Sequence, residues 1–219
     1  MVRLHRRRGH GRRPAGGQDR TPLPSESPPP GGRLKGAALP DVTIVVDVLN
    51  GFCKEGNLAS PHCAGAIPRI RRILERRLQA DDALIFLADT HDPHDREFEV
   101  FPVHCVRGTH EAEVVDELQD LVLRGHLIRK RRYSGFFETD LEDRLRRLAP
   151  QTVTVVGVCT DICVMHTVAD LRNRDYQVVV VREGVETFDG PGHPHDSVQE
   201  FALAHLRGVL GAQVQTLSL

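Results

Sequence analysis

The sequence predicts an α/β fold over residues 41–219, with three layers, α-β-α, around a six-stranded and mainly parallel sheet. Three observations lead there. From residue 41 onward, short β-branched runs alternate with segments of helical periodicity. The runs are apolar at consecutive positions, which marks strands covered on both faces. Several of them end abruptly in a charged or reactive residue, as happens where function collects at the carboxyl edge of a parallel sheet.

The elements follow in order. Residues 43–47 form a first strand ending in Asp47, and residues 67–78 carry helical spacing with arginines on the outer face. Residues 83–89 form a strand ending in Asp89, residues 114–123 a helix, and residues 127–130 a short strand ending in Lys130. Residues 139–148 form a helix with Thr139 as its expected N-cap and Glu142 three residues on, a capping box. A strand at 152–157 leads into a helix at 161–173. A strand at 177–181, a helix at 197–206 and a last strand at 212–217 complete the pattern.

Residues 1–40 differ in kind. They hold eight arginines and Lys35 against Asp19 and Glu26, with half of the prolines of the chain. Such a segment buries too little apolar surface to offset its ordering entropy, so a disordered tail is expected. The net charge of −1 therefore conceals an acidic body. An acidic body argues against a nucleic-acid-binding core; binding through the arginine tail is the remaining route. No apolar run reaches the roughly 18 residues of a membrane span. Five cysteines, an odd number without framework spacing, point to a reducing, cytoplasmic setting.

Chemistry concentrates at the strand ends. Cys163 lies in Gly157-Val158-Cys159-Thr160-Asp161-Ile162-Cys163-Val164. A cap from Thr160 or Asp161 would place it in the first turn of a helix, where free N–H groups favour a thiolate and can hold an oxyanion. Asp47 is the candidate base and Lys130 the cation that favours the thiolate. The alternatives are a buried structural cysteine and a structural Asp47–Lys130 ion pair. A second cluster, Asp89, His91, Glu97 and His104, with His94 as a competitor, offers mixed N and O ligands for a divalent metal; its bland reading is a polar surface loop.

These motifs resemble those of the isochorismatase-like cysteine hydrolases. The 157–164 segment resembles their nucleophile motif. Lys-Arg-Arg-Tyr-Ser-Gly-Phe at 130–136 resembles the lysine segment of bacterial nicotinamidases. Val-Val-Asp-Val-Leu-Asn-Gly-Phe at 45–52 resembles their first-strand aspartate motif, and Asp-Thr-His at 89–91 with Glu97 and Phe-Pro-Val-His at 101–104 resembles their metal segment. The resemblance spans residues 41–217 and implies an isochorismatase-like hydrolase fold. It implies a catalytic triad of Asp47, Lys130 and Cys163, and a cis peptide between Val158 and Cys159 with the N–H groups of Cys159 and Cys163 as the oxyanion hole. It maps Asp89, His91, Glu97 and His104 onto metal ligands, zinc being the first expectation and manganese or iron the alternatives. It maps Phe52, Phe101 and Tyr133 onto the ring-binding pocket, though each aromatic could equally be core. The implied reaction is hydrolysis of nicotinamide to nicotinate and ammonia through a cysteine thioester, in NAD salvage, by an enzyme that can be a homo-oligomer. Gly51 departs from the acid common at its position, and Cys159 from another small or apolar residue; the 91–104 loop is short. The rivals are an amidase of the same superfamily acting on an N-carbamoyl or ureido compound, and a non-catalytic metal or thiol sensor.

Overall fold

The computed structural model describes residues 41–216; the tail at 1–40 and Leu217 of the expected last strand lie outside the described residues. Six strands, β1 (Val42–Val46), β2 (Ala83–Asp89), β3 (His126–Lys130), β4 (Val153–Val158), β5 (Val178–Glu186) and β6 (Gln213–Gln215), form one sheet in the order β3-β2-β1-β4-β5-β6. Every pairing is parallel. The described helices are α1 (Asn50–Cys53), α2 (Pro61–Gln79), α3 (Gln119–Val122), α4 (Leu141–Leu148), α5 (Met165–Arg172) and α6 (His195–Gly208). None is long and apolar enough to cross a membrane.

Alternation along β1 divides the core. Val42, Ile44 and Val46 join Leu141, Leu145, Val168, Leu171, Leu203 and Leu206 of α4, α5 and α6 on one face. Val45 joins Ile67, Ile70, Ile73 and Leu74 of α2 on the other. Apolar residues at 63, 66, 67, 70, 73 and 74 make one stripe of α2, so the helix lies flat on the sheet. Thr43 also sits inside, its hydroxyl donating to Asp82 Oδ2 at 2.7 Å.

Several boundaries differ from expectation for local reasons. The expected helix at 114–123 shrinks to the single turn of α3, because that stretch is tied to the loop after β1. Leu49 and Val114 form a β-bridge, Val115 N–H donates to Val48 O at 3.1 Å, and Gln119 Nε2 donates to Val114 O at 2.6 Å. Helix α4 starts at Leu141 with Asp140 at the cap position; the Thr139 hydroxyl accepts from Leu141 N–H at 3.3 Å and donates to Gly135 O at 2.5 Å. Glu142 pairs with Arg146 and Arg174 instead of closing a capping box. Helix α2 starts six residues early at Pro61, the ring that suits the first helical position. Strand β5 runs on to Glu186, past a register shift between Val155 and Gly157 of β4.

The order reverses between β1 and β4, which opens a crevice beyond their carboxyl ends. Gly157 makes that close approach workable. Its φ is +127°, and a Cβ there would lie 2.0 Å from Val46 O. Replacing Gly157 by Ala should cost about 3 kcal/mol or more, because the obstacle is the backbone of the central strand. Urea unfolding of Gly157→Ala checks this; a stability equal to wild type would contradict the packing argument.

Candidate active site

The residues expected to act together do converge. Asp89 and Lys130 are the last residues of β2 and β3 and are register partners. Asp47 follows β1 with φ +51°, a left-handed conformation unusual for a residue with a side chain. That twist lets Asp47 Oδ1 accept from Asp89 N–H at 2.9 Å while Oδ2 lies 2.8 Å from Lys130 Nζ. Lys130 Nζ reaches Asp89 Oδ1 at 3.2 Å and Cys163 Sγ at 3.6 Å. All four side chains are buried.

Burial sets the proton positions. It pushes the Asp47 carboxyl up to about 6 against the pull of Lys130, with the Asp89 charge adding to the rise. Burial also opposes ionisation of Asp89, but Lys130 and the hydrogen bonds from His104 and His91 outweigh it and hold that carboxyl well below the usual range. Burial disfavours the Lys130 ammonium, yet Asp47 and Asp89 keep it charged. The Cys163 thiol is pushed well above its ordinary value by burial, which Lys130 only partly offsets. Burial thus opposes whatever the turn contributes toward a thiolate. Asp47 is the carboxyl that titrates nearest neutral pH in this group.

The turn carrying Cys163 also departs from the expected helix start. Thr160–Val164 form one π-type turn ahead of α5, and neither Thr160 nor Asp161 caps it. Ile162 and Val164 N–H both donate to Cys159 O, at 3.1 and 3.2 Å. The Val158–Cys159 peptide is cis.

Asp89, His91, Glu97 and His104 are all buried, and one ligand atom from each lies within 4.8 Å of all the others. His91 Nε2 and His104 Nε2 stand 2.9 and 3.4 Å from Asp89 Oδ2, and 3.8 and 4.0 Å from Glu97 Oε1. Four ligands about 2.1 Å from one ion would be about 3.4 Å apart in tetrahedral geometry, so the set fits a divalent metal. His104 Nδ1 donates to Pro102 O at 2.7 Å, which turns the Nε2 lone pair toward the cluster. Glu97 Oε2 is buried without a hydrogen-bond partner, as expected of a ligand in waiting. The competitor His94 is exposed and outside the cluster.

A cavity of about 540 Å³ opens onto Cys163, Cys159, Asp89, Glu97 and His104, and Phe52, Phe101 and Tyr133 line it. Three contributions escape the sequence reading. Asp95 lies 3.3 Å from His91 Nδ1, accepts from Glu97 N–H at 2.9 Å and pairs with Arg132 at 2.7 Å, so it braces the cluster from behind. Its signal is an Asx turn, Asp followed by Glu97 two residues on. Residues 57–60 before α2, Pro61 and His62 of its first turn, and residues 188–191 after β5 complete the wall. Ser60 takes the cap position of α2 without capping it, and its hydroxyl has no partner. Gly51 is explained by crowding: a Cβ would meet Cys105 Sγ at 2.8 Å, leaving no room for an acid.

The sequence profile of the isochorismatase domain matches residues 41–217. A pyrazinamidase/nicotinamidase from Streptococcus mutans UA159 is 32% identical, with a TM-score of 0.73 over 80% of this chain and 99% of that one. An N-carbamoylsarcosine amidase from Thermoplasma acidophilum is 29% identical, with a TM-score of 0.71 over 81% and 96%. A pyrazinamidase from Pyrococcus horikoshii, solved in complex with zinc, is 26% identical, with a TM-score of 0.73 over 81% and 99%. The chain belongs to the isochorismatase family and is a hydrolase of that family.

The ammonium of Lys130 separates two buried carboxylates, so removing it should be costly. Lys130→Met is expected to lose about 3–5 kcal/mol in urea unfolding, and a second change, Asp47→Asn, should restore much of it. A Lys130→Met protein as stable as wild type would show that the pair is not an electrostatic keystone.

Proposed function

We propose that this chain hydrolyses nicotinamide to nicotinate and ammonia, with Cys163 as nucleophile. The observation that supports the reading is one cavity that opens onto Cys163 of the buried Asp47–Lys130–Cys163 group, onto Asp89, Glu97 and His104 of the N₂O₂ cluster, and onto three aromatic rings. Nicotinamide presents the matching features: a carboxamide to attack, a flat ring and a ring nitrogen.

In this reaction Asp47 takes the proton of the Cys163 thiol as Sγ attacks the carboxamide carbon. The N–H groups of Cys159 and Cys163 hold the oxygen as it becomes an anion. Asp47 returns the proton to the departing nitrogen, ammonia leaves, and the acyl group stays on Cys163 as a thioester. Asp47 then takes a proton from water, the resulting hydroxide adds to the thioester carbon and displaces Sγ as a thiolate, Asp47 returns the proton to Sγ, and the acid so formed gives up its own proton to the released ammonia and leaves as nicotinate. Lys130 keeps Asp47 in line and stabilises the thiolate when it forms. Phe52, Phe101 and Tyr133 face the ring. A divalent ion held by Asp89, His91, Glu97 and His104, with zinc as our first choice, would supply a coordination point for the ring nitrogen. Nicotinate as product places the reaction in NAD salvage, and a thiol nucleophile suits the reducing cytoplasm.

A second reading has support in the similarity to an N-carbamoylsarcosine amidase: the same three residues would cleave an N-carbamoyl or ureido compound. That reading gives no use to a metal that recognises a ring nitrogen.

Ammonia release from nicotinamide tests the first reading. Cys163→Ala should lose roughly 10⁴-fold or more of kcat while keeping its fold by circular dichroism. Ammonia from N-carbamoyl compounds alone would transfer the assignment to the second reading. Elemental analysis should find a stoichiometric divalent ion, and Asp95→Ala should weaken zinc affinity about 10–100-fold in a chelator competition. Unchanged affinity would remove Asp95 from the support of the cluster.

A further inference from the structure

The loop after β5 is built more deliberately than a connection requires. Asp161, two residues before Cys163, takes two bonds from it: Thr187 Oγ1 donates to Oδ1 at 2.5 Å, and His193 Nε2 lies 2.9 Å from Oδ2. The other ring nitrogen of His193 lies 3.1 Å from Phe188 O. Gly190 and His193 exchange both backbone hydrogen bonds, at 2.9 and 3.1 Å, which closes the loop into a tight turn. His193 stacks on Phe188 with ring centroids 3.8 Å apart and planes 5° from parallel. Residue 188 is half-buried and forms part of the wall of the cavity that holds Cys163; His193 does not line it.

We propose that Phe188 is a specificity residue that receives the flat ring of the substrate, and that Asp161 positions it through His193. The carboxylate that anchors the cysteine-bearing turn thereby also sets one wall of the ring site. Three features combine in this assignment: an aromatic ring at the cavity, a second ring behind it that fixes its plane, and a charged group that holds the second ring by one nitrogen. Aromatic stacking of this kind is worth up to about tenfold in affinity. The proposal rests on the nicotinamide reading only in taking the ligand to be a flat ring.

Calorimetric binding of nicotinate and benzoate to the full-length, zinc-supplied protein tests it, since neither acid is turned over. Phe188→Ala should weaken both about tenfold, and Phe188→Tyr, which keeps the ring, should restore binding. His193→Ala should weaken both several-fold, with His193→Gln, which retains a donor for Asp161, falling between it and wild type. Because His193 acts through Phe188, the double variant Phe188→Ala/His193→Ala should bind no more weakly than Phe188→Ala alone. A purely structural clamp would not produce that non-additivity. Unchanged binding by Phe188→Ala, additive losses in the double variant, or failure of both acids to bind wild type would each overturn the proposal. Absence of ammonia release from nicotinamide together with the expected benzoate pattern would remove the nicotinamide assignment and leave the role of Phe188 standing.

Discussion

One buried ammonium organises the reactive end of this protein. Lys130 Nζ contacts two carboxylates and a thiol within 3.6 Å, and burial of all four side chains keeps water from diluting their interaction. A cation placed so deep would be untenable alone, and two carboxylates so close would repel. Together they are mutually dependent, which forces the last residues of β2 and β3 and the residue just after β1 to meet at one point. The parallel sheet makes that delivery geometrically simple: Asp89 and Lys130 are register partners, and the left-handed turn at Asp47 swings the third group inward.

Asp89 extends this constraint into the metal-type cluster. Its Oδ1 faces Lys130 and its Oδ2 faces His91 and His104. One side chain therefore belongs to both halves of the site, and the distance between the Lys130 ammonium and the cluster is fixed by the size of a carboxylate. Around it the acids outnumber the cations, with Asp47, Asp89, Asp95 and Glu97 against Lys130 and Arg132. A divalent ion among Asp89, His91, Glu97 and His104 would offset that excess, and Glu97 Oε2, buried without a hydrogen-bond partner, is consistent with a ligand set shaped for it.

What is legible in the sequence follows from these constraints. Strands whose last residue is charged stand out, so Asp47, Asp89 and Lys130 can be picked from the pattern of residues alone, and Cys163 with them because it follows β4. The four-residue cluster is legible because its members lie within sixteen positions of one another. The helix expected at 114–123 is not to be had from periodicity: Val114, Val115, Leu118 and Leu121 are buried as a helix would bury them, but hydrogen bonds to the loop after β1 fix the backbone otherwise. The protonation of Cys163 escapes a local reading for a similar reason. Turn chemistry favours a thiolate, whereas burial, a property of the whole fold, pushes the thiol up. Asp95 leaves only the faint mark of an Asx turn, and the cavity walls at 57–62 and 188–191 leave none on a short motif because they meet the other walls only through the fold.

This division has a physical origin. Groups that exchange protons and form bonds must be held to fractions of an ångström, and rigid strand ends provide that, leaving a strong imprint on sequence pattern. Groups that choose among ligands need shape rather than a fixed protonation state, and loops supply shape through contacts that no short motif encodes. Asp161 is where the two meet. It sits in the motif that marks the cysteine turn, yet its carboxylate binds Thr187 and His193 of a loop more than twenty residues away. One of the two residues read from sequence as a helix cap is in the structure a strut between the cysteine-bearing turn and the wall of the cavity. The sheet edge thus carries the buried Asp47–Lys130–Cys163 group, and the turn beside it braces the loop that forms one wall of the cavity.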